Sequence, residues 1–156
     1  MLKIYPIQEK REYLEEVAQL TQKQWATKCT SKAEYQKKIQ KKIENMISLF
    51  DTPYYCKLIL LEDTKLVGFI SLFESDSKER KDLTPWYATM FVKKAYRGNG
   101  YSKILHNAIL QEAQRRGFKR IYLKTDLINY YEKFGALYLD TLKTGEKLYY
   151  FDLEKF

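Results

Sequence analysis

Residues 90–116 read MFVKKAYRGNGYSKILHNAILQEAQRR, and this stretch decides the fold. An apolar strand, predicted over 87–92, runs into the glycines of the turn at 97–100 and then into an amphipathic helix that Gly117 closes. The first turn of a helix has backbone N–H groups without intrahelical partners, and these groups carry a partial positive charge. Glycine lets the backbone close around a ligand without interference from a Cβ atom. The unit therefore predicts an anion site, with a phosphate or diphosphate as its natural occupant.

The turn differs from the two commonest phosphate-binding motifs. It lacks the G-x-x-x-x-G-K-S/T pattern of the P-loop, and it lacks G-x-G-x-x-G with a following acidic ribose ligand. A plain tight connection between strand and helix is the alternative interpretation. Positively charged side chains nearby favour an anion instead: Lys93, Lys94, Arg97 and Lys103.

On either side of this unit, the spacing of hydrophobic residues along the chain alternates between the period of strands and the period of helices. The predicted strands are 2–5, 55–61, 65–73, 87–92, 120–125, 137–141 and 148–153. The predicted helices are 9–25, 31–50, 101–116 and 128–134. This order predicts an α+β fold in which a central mixed, twisted sheet of about seven strands is flanked by about four helices.

Length and composition narrow the class of protein. The chain has 156 residues, of which 45% are hydrophobic, so we expect one folded domain over 1–156. No apolar run approaches the ~20 residues needed to span a bilayer, and the first residues lack the apolar stretch of a signal peptide. We therefore expect a cytoplasmic protein with no membrane partner.

Cysteine and histidine are too few for most metal or nucleophile chemistry. The chain holds two cysteines, Cys29 and Cys56, and one histidine, His106. A structural zinc site needs about four ligands, so no metal is predicted. A Ser-His or Cys-His system is disfavoured because only His106 can act as its base. We expect both cysteines to be reduced thiols, and His106 to lie on the surface of its helix without a role.

The net charge of +8 attracts anions, and it is unevenly distributed. Residues 23–44 hold seven lysines against Glu34 and Glu44. One interpretation is a solvated helix face, and the other is a surface for RNA or an acidic partner.

Two motifs resemble the GNAT superfamily of acyl-CoA-dependent N-acetyltransferases. Arg97-x-x-Gly100-x-Ser102 is similar to the R/Q-x-x-G-x-G/A motif between the family's fourth strand and third helix, with serine at the last position. Residues 131–136, YEKFGA, are similar to the family's Y-x-x-x-G-F/W/A segment. The resemblance covers the whole chain in element order and is most specific over 82–136.

The resemblance implies where acetyl-CoA binds. The donor would lie where the fourth and fifth strands separate, with the backbone of Phe91 and Val92 along its pantetheine arm. The turn and first helical residues would hold the diphosphate: Arg97, Gly98, Asn99, Gly100, Tyr101, Ser102 and Lys103. An amine would then attack the thioester directly in a ternary complex.

The resemblance also suggests catalytic residues. Tyr131 would donate a proton to the departing thiolate, since a phenol is protonated at neutral pH. Its neighbour Tyr130 is expected to be a core residue. The sequence does not identify the general base. Glu74 is the first candidate, Asp82 and Asp126 follow, and a relay through water is an equal alternative.

The acceptor is predicted only as a small-molecule or peptide amine. A cationic acceptor would favour a pocket lined by carboxylates, and Trp86 and Tyr87 are candidates for its wall. The candidate carboxylates are Glu74, Asp76, Glu79, Asp82 and Asp126. Two alternative functions stay open: a basic RNA-binding domain and a CoA-binding protein without turnover. Binding of nucleic acid is not favoured, because RNA binding needs no glycine turn before a helix. A homodimer stays open, and the sequence does not identify the acceptor.

Overall fold

Seven strands form one mixed sheet in the order β1-β2-β3-β4-β5-β7-β6 in the computed structural model, which describes residues 1–156. Only the β4–β5 pair is parallel, and every other neighbouring pair is antiparallel. The strands are β1 Leu2–Pro6, β2 Cys56–Glu62, β3 Lys65–Phe73, β4 Trp86–Val92, β5 Arg120–Thr125, β6 Leu137–Thr141 and β7 Lys147–Asp152. All seven predicted strands are therefore present.

Three α-helices pack on the sheet, where about four helices were predicted. They are α1 Leu14–Trp25, α2 Lys32–Ser48 and α3 Tyr101–Arg115. The predicted fourth helix is a single 3-10 turn, Tyr131–Phe134, because Gly135 leaves the helical region at φ +94° directly after it. The first predicted helix begins at Leu14 instead of residue 9, and two short 3-10 turns precede it. None of the helices combines the length and the apolar character of a membrane-spanning segment.

The sheet buries side chains on both faces, which explains the nearly continuous apolar sequence of β2. Leu58 and Leu60 face α3 and pack with its buried residues Leu105 and Ile109. The alternate residue Ile59 joins the core beneath α1 and α2. The sheet is thus the middle layer between α3 on one face and the α1–α2 pair on the other.

β4 and β5 separate after one point of contact. The only registered pair is Trp86 with Tyr122. On its other side β4 has a bulge, because two residues, Thr89 and Met90, stand opposite one residue of β3. Thr89 has φ +49°, and its hydroxyl donates to Ser71 Oγ at 2.7 Å. The bulge bends β4 away from β5 and leaves part of its main chain facing an open gap.

Candidate active site

The turn before α3 is built for close approach by a ligand. Gly98 and Gly100 have φ values of +83° and +77°, which residues with a Cβ atom rarely adopt. Gly100 is the N-cap of α3 and supplies no side-chain cap. A Cβ atom at either glycine would meet nothing within 4 Å. Glycine is therefore required here by backbone conformation, and the space beside it stays open.

The main-chain N–H groups of residues 98–103 have no acceptor within the protein. Neither a backbone oxygen nor a side-chain oxygen accepts a hydrogen bond from any of them, and the first α3 bond runs from Ile104 N to Gly100 O at 3.4 Å. At a helix start such groups point outward with the positive end of the helix dipole. This row of donors can bind an anionic ligand without first breaking a protein hydrogen bond.

A cavity of about 360 Å³ opens beside these donors. It extends from the end of β4 to the start of α3, and Gln24 and Tyr130 complete its wall. Seven of the nine predicted donor-binding residues line it: Phe91, Val92, Arg97, Gly98, Gly100, Tyr101 and Ser102. Asn99 and Lys103 do not, and the Asn99 side chain instead donates to Tyr96 O at 3.1 Å. Tyr130, expected in the core, is a wall residue of this cavity.

Two side chains fix the turn to the sheet. Arg97 Nε donates to Val92 O at 2.8 Å, and its guanidinium lies 5.7 Å from the centroid of the Phe91 ring. Tyr101 OH donates to a carboxylate oxygen of Glu62 at 3.2 Å. Arg97 thus contributes both its positive charge and the orientation of the turn relative to β4.

A second cavity, of about 540 Å³, occupies the gap between β4 and β5. Gln24 and Met90 line both cavities, so the two adjoin. The second is lined by residues from six parts of the chain: Gln24, Trp25, Asp76, Tyr87, Ala88, Thr89, Met90, Leu123, Lys124, Thr125, Tyr131 and Glu146. Tyr131 is therefore present at the gap, as is Tyr87, whereas Trp86 is buried and donates from Nε1 to Leu83 O at 2.8 Å.

The Tyr131 phenol is half-buried beside other aromatic rings. Its ring lies 4.8 Å from that of Tyr130 and 5.8 Å from that of Tyr87. Burial raises the pKa of Tyr131 to about 12, and Tyr130 adds to the effect. The hydroxyl therefore carries its proton at neutral pH and is available as a proton donor.

Asp76 supplies a carboxylate to the second cavity. It is half-buried and forms no hydrogen bond or ion pair with another side chain. Burial raises the pKa of Asp76, Glu146 raises it further, and Lys124 acts in the opposite direction. Such a carboxylate is a better proton acceptor than an exposed one.

The structure does not bring the other candidate carboxylates to this cavity. Glu74 is exposed at the end of β3 and lines neither cavity. Asp82 pairs with Arg80 at 3.0 Å, and Glu79 accepts from Lys143 N at 2.8 Å. Glu146 was missed by sequence analysis, because it comes from the β6–β7 turn and only the tertiary fold places it beside Asp76.

His106 is buried, which corrects the prediction of a surface residue. Only 2% of it is exposed, and its Nδ1 lies 3.1 Å from Tyr87 OH. Helical spacing contains the missed signal, because His106 precedes the buried residues Leu110 and Ala113 by four and seven positions. Burial lowers the pKa of His106 from 6.5 to about 4, with a further contribution from Lys103. The imidazole is therefore neutral at physiological pH.

Comparison with known proteins shows the family. Residues 14–136 match the model of the acetyltransferase (GNAT) family, so the chain belongs to this family of acyltransferase enzymes. No curated protein is a significant match to the sequence.

Solved structures share the fold at low sequence identity. An N-acetyltransferase from Staphylococcus aureus Mu50 has a TM-score of 0.75 at 17% identity, with 98% of this chain and 99% of that chain covered. A chimeric spermidine N-acetyltransferase from Vibrio cholerae and hSSAT gives 0.74 at 15%, with 99% and 96% covered. An aminoglycoside 6′-acetyltransferase type Ii gives 0.70 at 20%, with 97% of each chain covered.

The buried histidine predicts a pH-dependent stability. The folded pKa lies below the unfolded one, so the unfolded chain binds more protons between about pH 6.5 and pH 4. The neutral His106 side chain therefore contributes fully to the stability of the folded state above pH 6.5, and this contribution is lost as the pH falls from about 6.5 to 4. We expect the free energy of unfolding, measured by urea denaturation, to fall more steeply here for the wild type than for His106→Asn. Carboxylates contribute equally to both proteins, so parallel curves would contradict the assignment.

Proposed function

We propose that this enzyme transfers an acetyl group from acetyl-CoA to a primary amine in a ternary complex. The observation that carries the proposal is the row of unpaired N–H groups at residues 98–103, which opens on the cavity along β4. Members of the GNAT family use acetyl-CoA as the acetyl donor, so family membership supports the identity of the anion.

The residues fit the charge of a nucleotide thioester. The N–H groups of Gly98 to Lys103 would hold the diphosphate, with Arg97 adding a full positive charge. The main chain of Phe91 and Val92 borders the same cavity and would accompany the pantetheine arm toward the β4–β5 gap. Acetyl-CoA supplies a reactive thioester carbonyl when bound. Its acetyl end would then reach the second cavity, where Tyr131 lies.

The chemistry needs one proton donor and one proton acceptor. The amine nitrogen attacks the acetyl carbonyl, a C–N bond forms, and the C–S bond breaks with its electron pair remaining on sulfur. Tyr131 donates its phenolic proton to that thiolate, which a half-buried, protonated phenol can do. Asp76 accepts the proton released by the amine, because its raised pKa and free oxygens suit a base. Asp76 replaces Glu74 as the first candidate for this role.

The second cavity favours a cationic acceptor. The carboxylates of Asp76 and Glu146 would attract an ammonium group, and the rings of Trp25 and Tyr87 offer faces on which a cation is stabilised. Lys124 on the same wall leaves one net negative charge from the three ionised side chains. Two structural neighbours are named as spermidine and aminoglycoside acetyltransferases, whose acceptors are cationic amines. We therefore propose a small organic amine of net positive charge as the acceptor.

Binding of the donor predicts a thermal shift. At a hundredfold excess over Kd, acetyl-CoA should stabilise the native state by about 2.7 kcal/mol, which corresponds to roughly 5–10 °C in Tm for a chain of this size. Gly100→Val should abolish most of the shift, because valine disfavours φ +77° and distorts the donor row.

Gly117→Val is the matched control for that measurement. Gly117 has φ +87° and equally open surroundings, but it lies at the other end of α3. We expect this variant to lose stability and to keep its acetyl-CoA shift. A flat melting curve for the wild type at millimolar acetyl-CoA would refute donor binding.

Removing the Tyr131 hydroxyl should slow turnover with little effect on donor affinity. Loss of a general acid typically costs 10²–10⁴-fold in rate, so we expect Tyr131→Phe to lower kcat by about that factor. The Kd for acetyl-CoA should stay within about twofold, because the phenol contacts the second cavity and not the diphosphate site. Equal kcat values, measured by release of free thiol, would remove Tyr131 from the chemistry.

Substitution of two carboxylates near the end of β3 distinguishes the candidates for the general base. We expect Asp76→Asn to lower kcat by about 10²-fold and to move the acidic limb of the pH–rate profile. Glu74→Gln should leave both unchanged, because Glu74 is exposed and lines neither cavity. The opposite ranking of the two variants would restore Glu74 as the base.

A further inference from the structure

A buried hydrogen bond links the helix of the donor site to the strand of the acceptor cavity. Tyr87 of β4 and His106 of α3 are 4% and 2% exposed, and the phenol oxygen lies 3.1 Å from Nδ1. His106 is six residues after Gly100, and Tyr87 lines the second cavity. The proton transfers described above use neither residue, and the hydrogen bond between them connects the two halves of the site.

The pair belongs to a closed circuit of five aromatic rings. Tyr130, which lines the donor cavity, and Tyr131, which lines the acceptor cavity, are both members. The centroid distances around the circuit are His106–Tyr87 5.7 Å, Tyr87–Tyr131 5.8 Å, Tyr131–Tyr130 4.8 Å, Tyr130–Phe134 5.6 Å and Phe134–His106 4.6 Å. His106 therefore contacts the 3-10 turn of Tyr131 through Phe134 and the Tyr131 ring through Tyr87.

The hydrogen bond joins two uncharged groups. Burial raises the pKa of Tyr87 well above 10, with Tyr131 and Tyr130 adding to the shift, so its hydroxyl keeps its proton. His106 is neutral, and the titratable groups that act on it are Tyr87 across the bond and Lys103 on its own helix. Its other ring neighbours, Phe134 and Phe151, carry no charge. Tyr87 OH and Nδ1 are therefore linked by a hydrogen bond between a protonated phenol and a neutral imidazole.

We propose that His106 is a positioning residue that acts through Tyr87 on Tyr131. Through its hydrogen bond with Tyr87, His106 holds the Tyr87 ring with its neighbour Tyr131 in edge-to-face contact, at an interplanar angle of 83°. This contact fixes the Tyr131 hydroxyl relative to the β4–β5 gap. The role as a positioning residue for catalysis rests on the proposed acetyl transfer, in which Tyr131 is the proton donor.

Three variants test the hydrogen bond at constant shape. Tyr87→Phe removes only the hydroxyl, His106→Leu removes its hydrogen-bond partner, and His106→Asn keeps an amide group that can donate to or accept from the Tyr87 hydroxyl. We expect the first two to lower kcat on the order of tenfold, because small misplacements of a catalytic group are costly. His106→Asn should recover most of that loss, and the KM for acetyl-CoA should stay within about twofold throughout. Wild-type kcat in Tyr87→Phe would overturn the proposal, even if His106→Leu does not fold.

A double-mutant cycle distinguishes positioning from a general loss of structure. In the Tyr131→Phe background, adding Tyr87→Phe should cause little further loss of kcat, because the group being positioned is already gone. Independent losses that multiply would overturn the proposal. Melting temperatures of all variants serve as the control for folding.

A spectroscopic measurement makes the proposal independent of turnover. In protein with isotope-labelled tyrosine, we expect the NMR resonance of the Tyr131 ring to shift in Tyr87→Phe, because phenylalanine keeps the ring current and a shift then reports movement. The single variant His106→Asn should keep the resonance close to its wild-type position, because it retains a hydrogen-bond partner for the Tyr87 hydroxyl. An unchanged resonance in Tyr87→Phe would overturn the positioning role. Lack of thiol release by the wild type with every amine would instead refute the proposed function, leaving the resonance to decide the link between the rings.

Discussion

The separation of β4 from β5 is the constraint on which the site depends. After the Trp86–Tyr122 pair, the two parallel strands stop pairing, and the bulge at Thr89 bends β4 away. Main-chain groups on that edge would be costly if they were buried without partners. The gap instead opens to two adjoining cavities, and the chain reverses at its end into α3. The row of unpaired N–H groups at residues 98–103 and the second cavity are therefore consequences of one break in the sheet.

Electrostatics divide the site into two halves of opposite preference. At the start of α3, unpaired N–H groups and Arg97 favour an anion. In the gap, Asp76 and Glu146 favour a cation, with Lys124 limiting the negative charge. Tyr131 lines the gap, and its half-buried phenol keeps its proton there. In the proposed reaction, a polyanionic donor and an amine acceptor would thus be attracted to different places, which would suit direct transfer between them.

Local patterns in the sequence were sufficient for the sheet and for the turn at 97–100. Strand alternation, the glycines and the stripe of α3 each depend on neighbouring residues, so they can be read without the fold. The roles of residues that meet only through tertiary structure were predicted less accurately. Glu146 comes from a hairpin turn far along the chain, and Asp76 could not be ranked above Glu74 when both were charged residues after β3. His106 lies beside the apolar stripe that the sequence predicts for this helix, and the buried face of α3 differs from that stripe because it includes His106 and Leu110.

The wall shared by the two cavities has a consequence for how such enzymes diversify. Gln24, which lines both cavities, and Trp25, which lines the second, come from the last turn of α1, more than seventy positions before the glycine turn. Substitutions at these two positions would change the cavity walls without altering the main-chain N–H groups of the glycine turn. The acceptor of the proposed reaction could therefore change during evolution while the signature of residues 97–102 is retained. Two homologues with the same signature need not share a substrate, and the last turn of α1 is the more informative place to compare them.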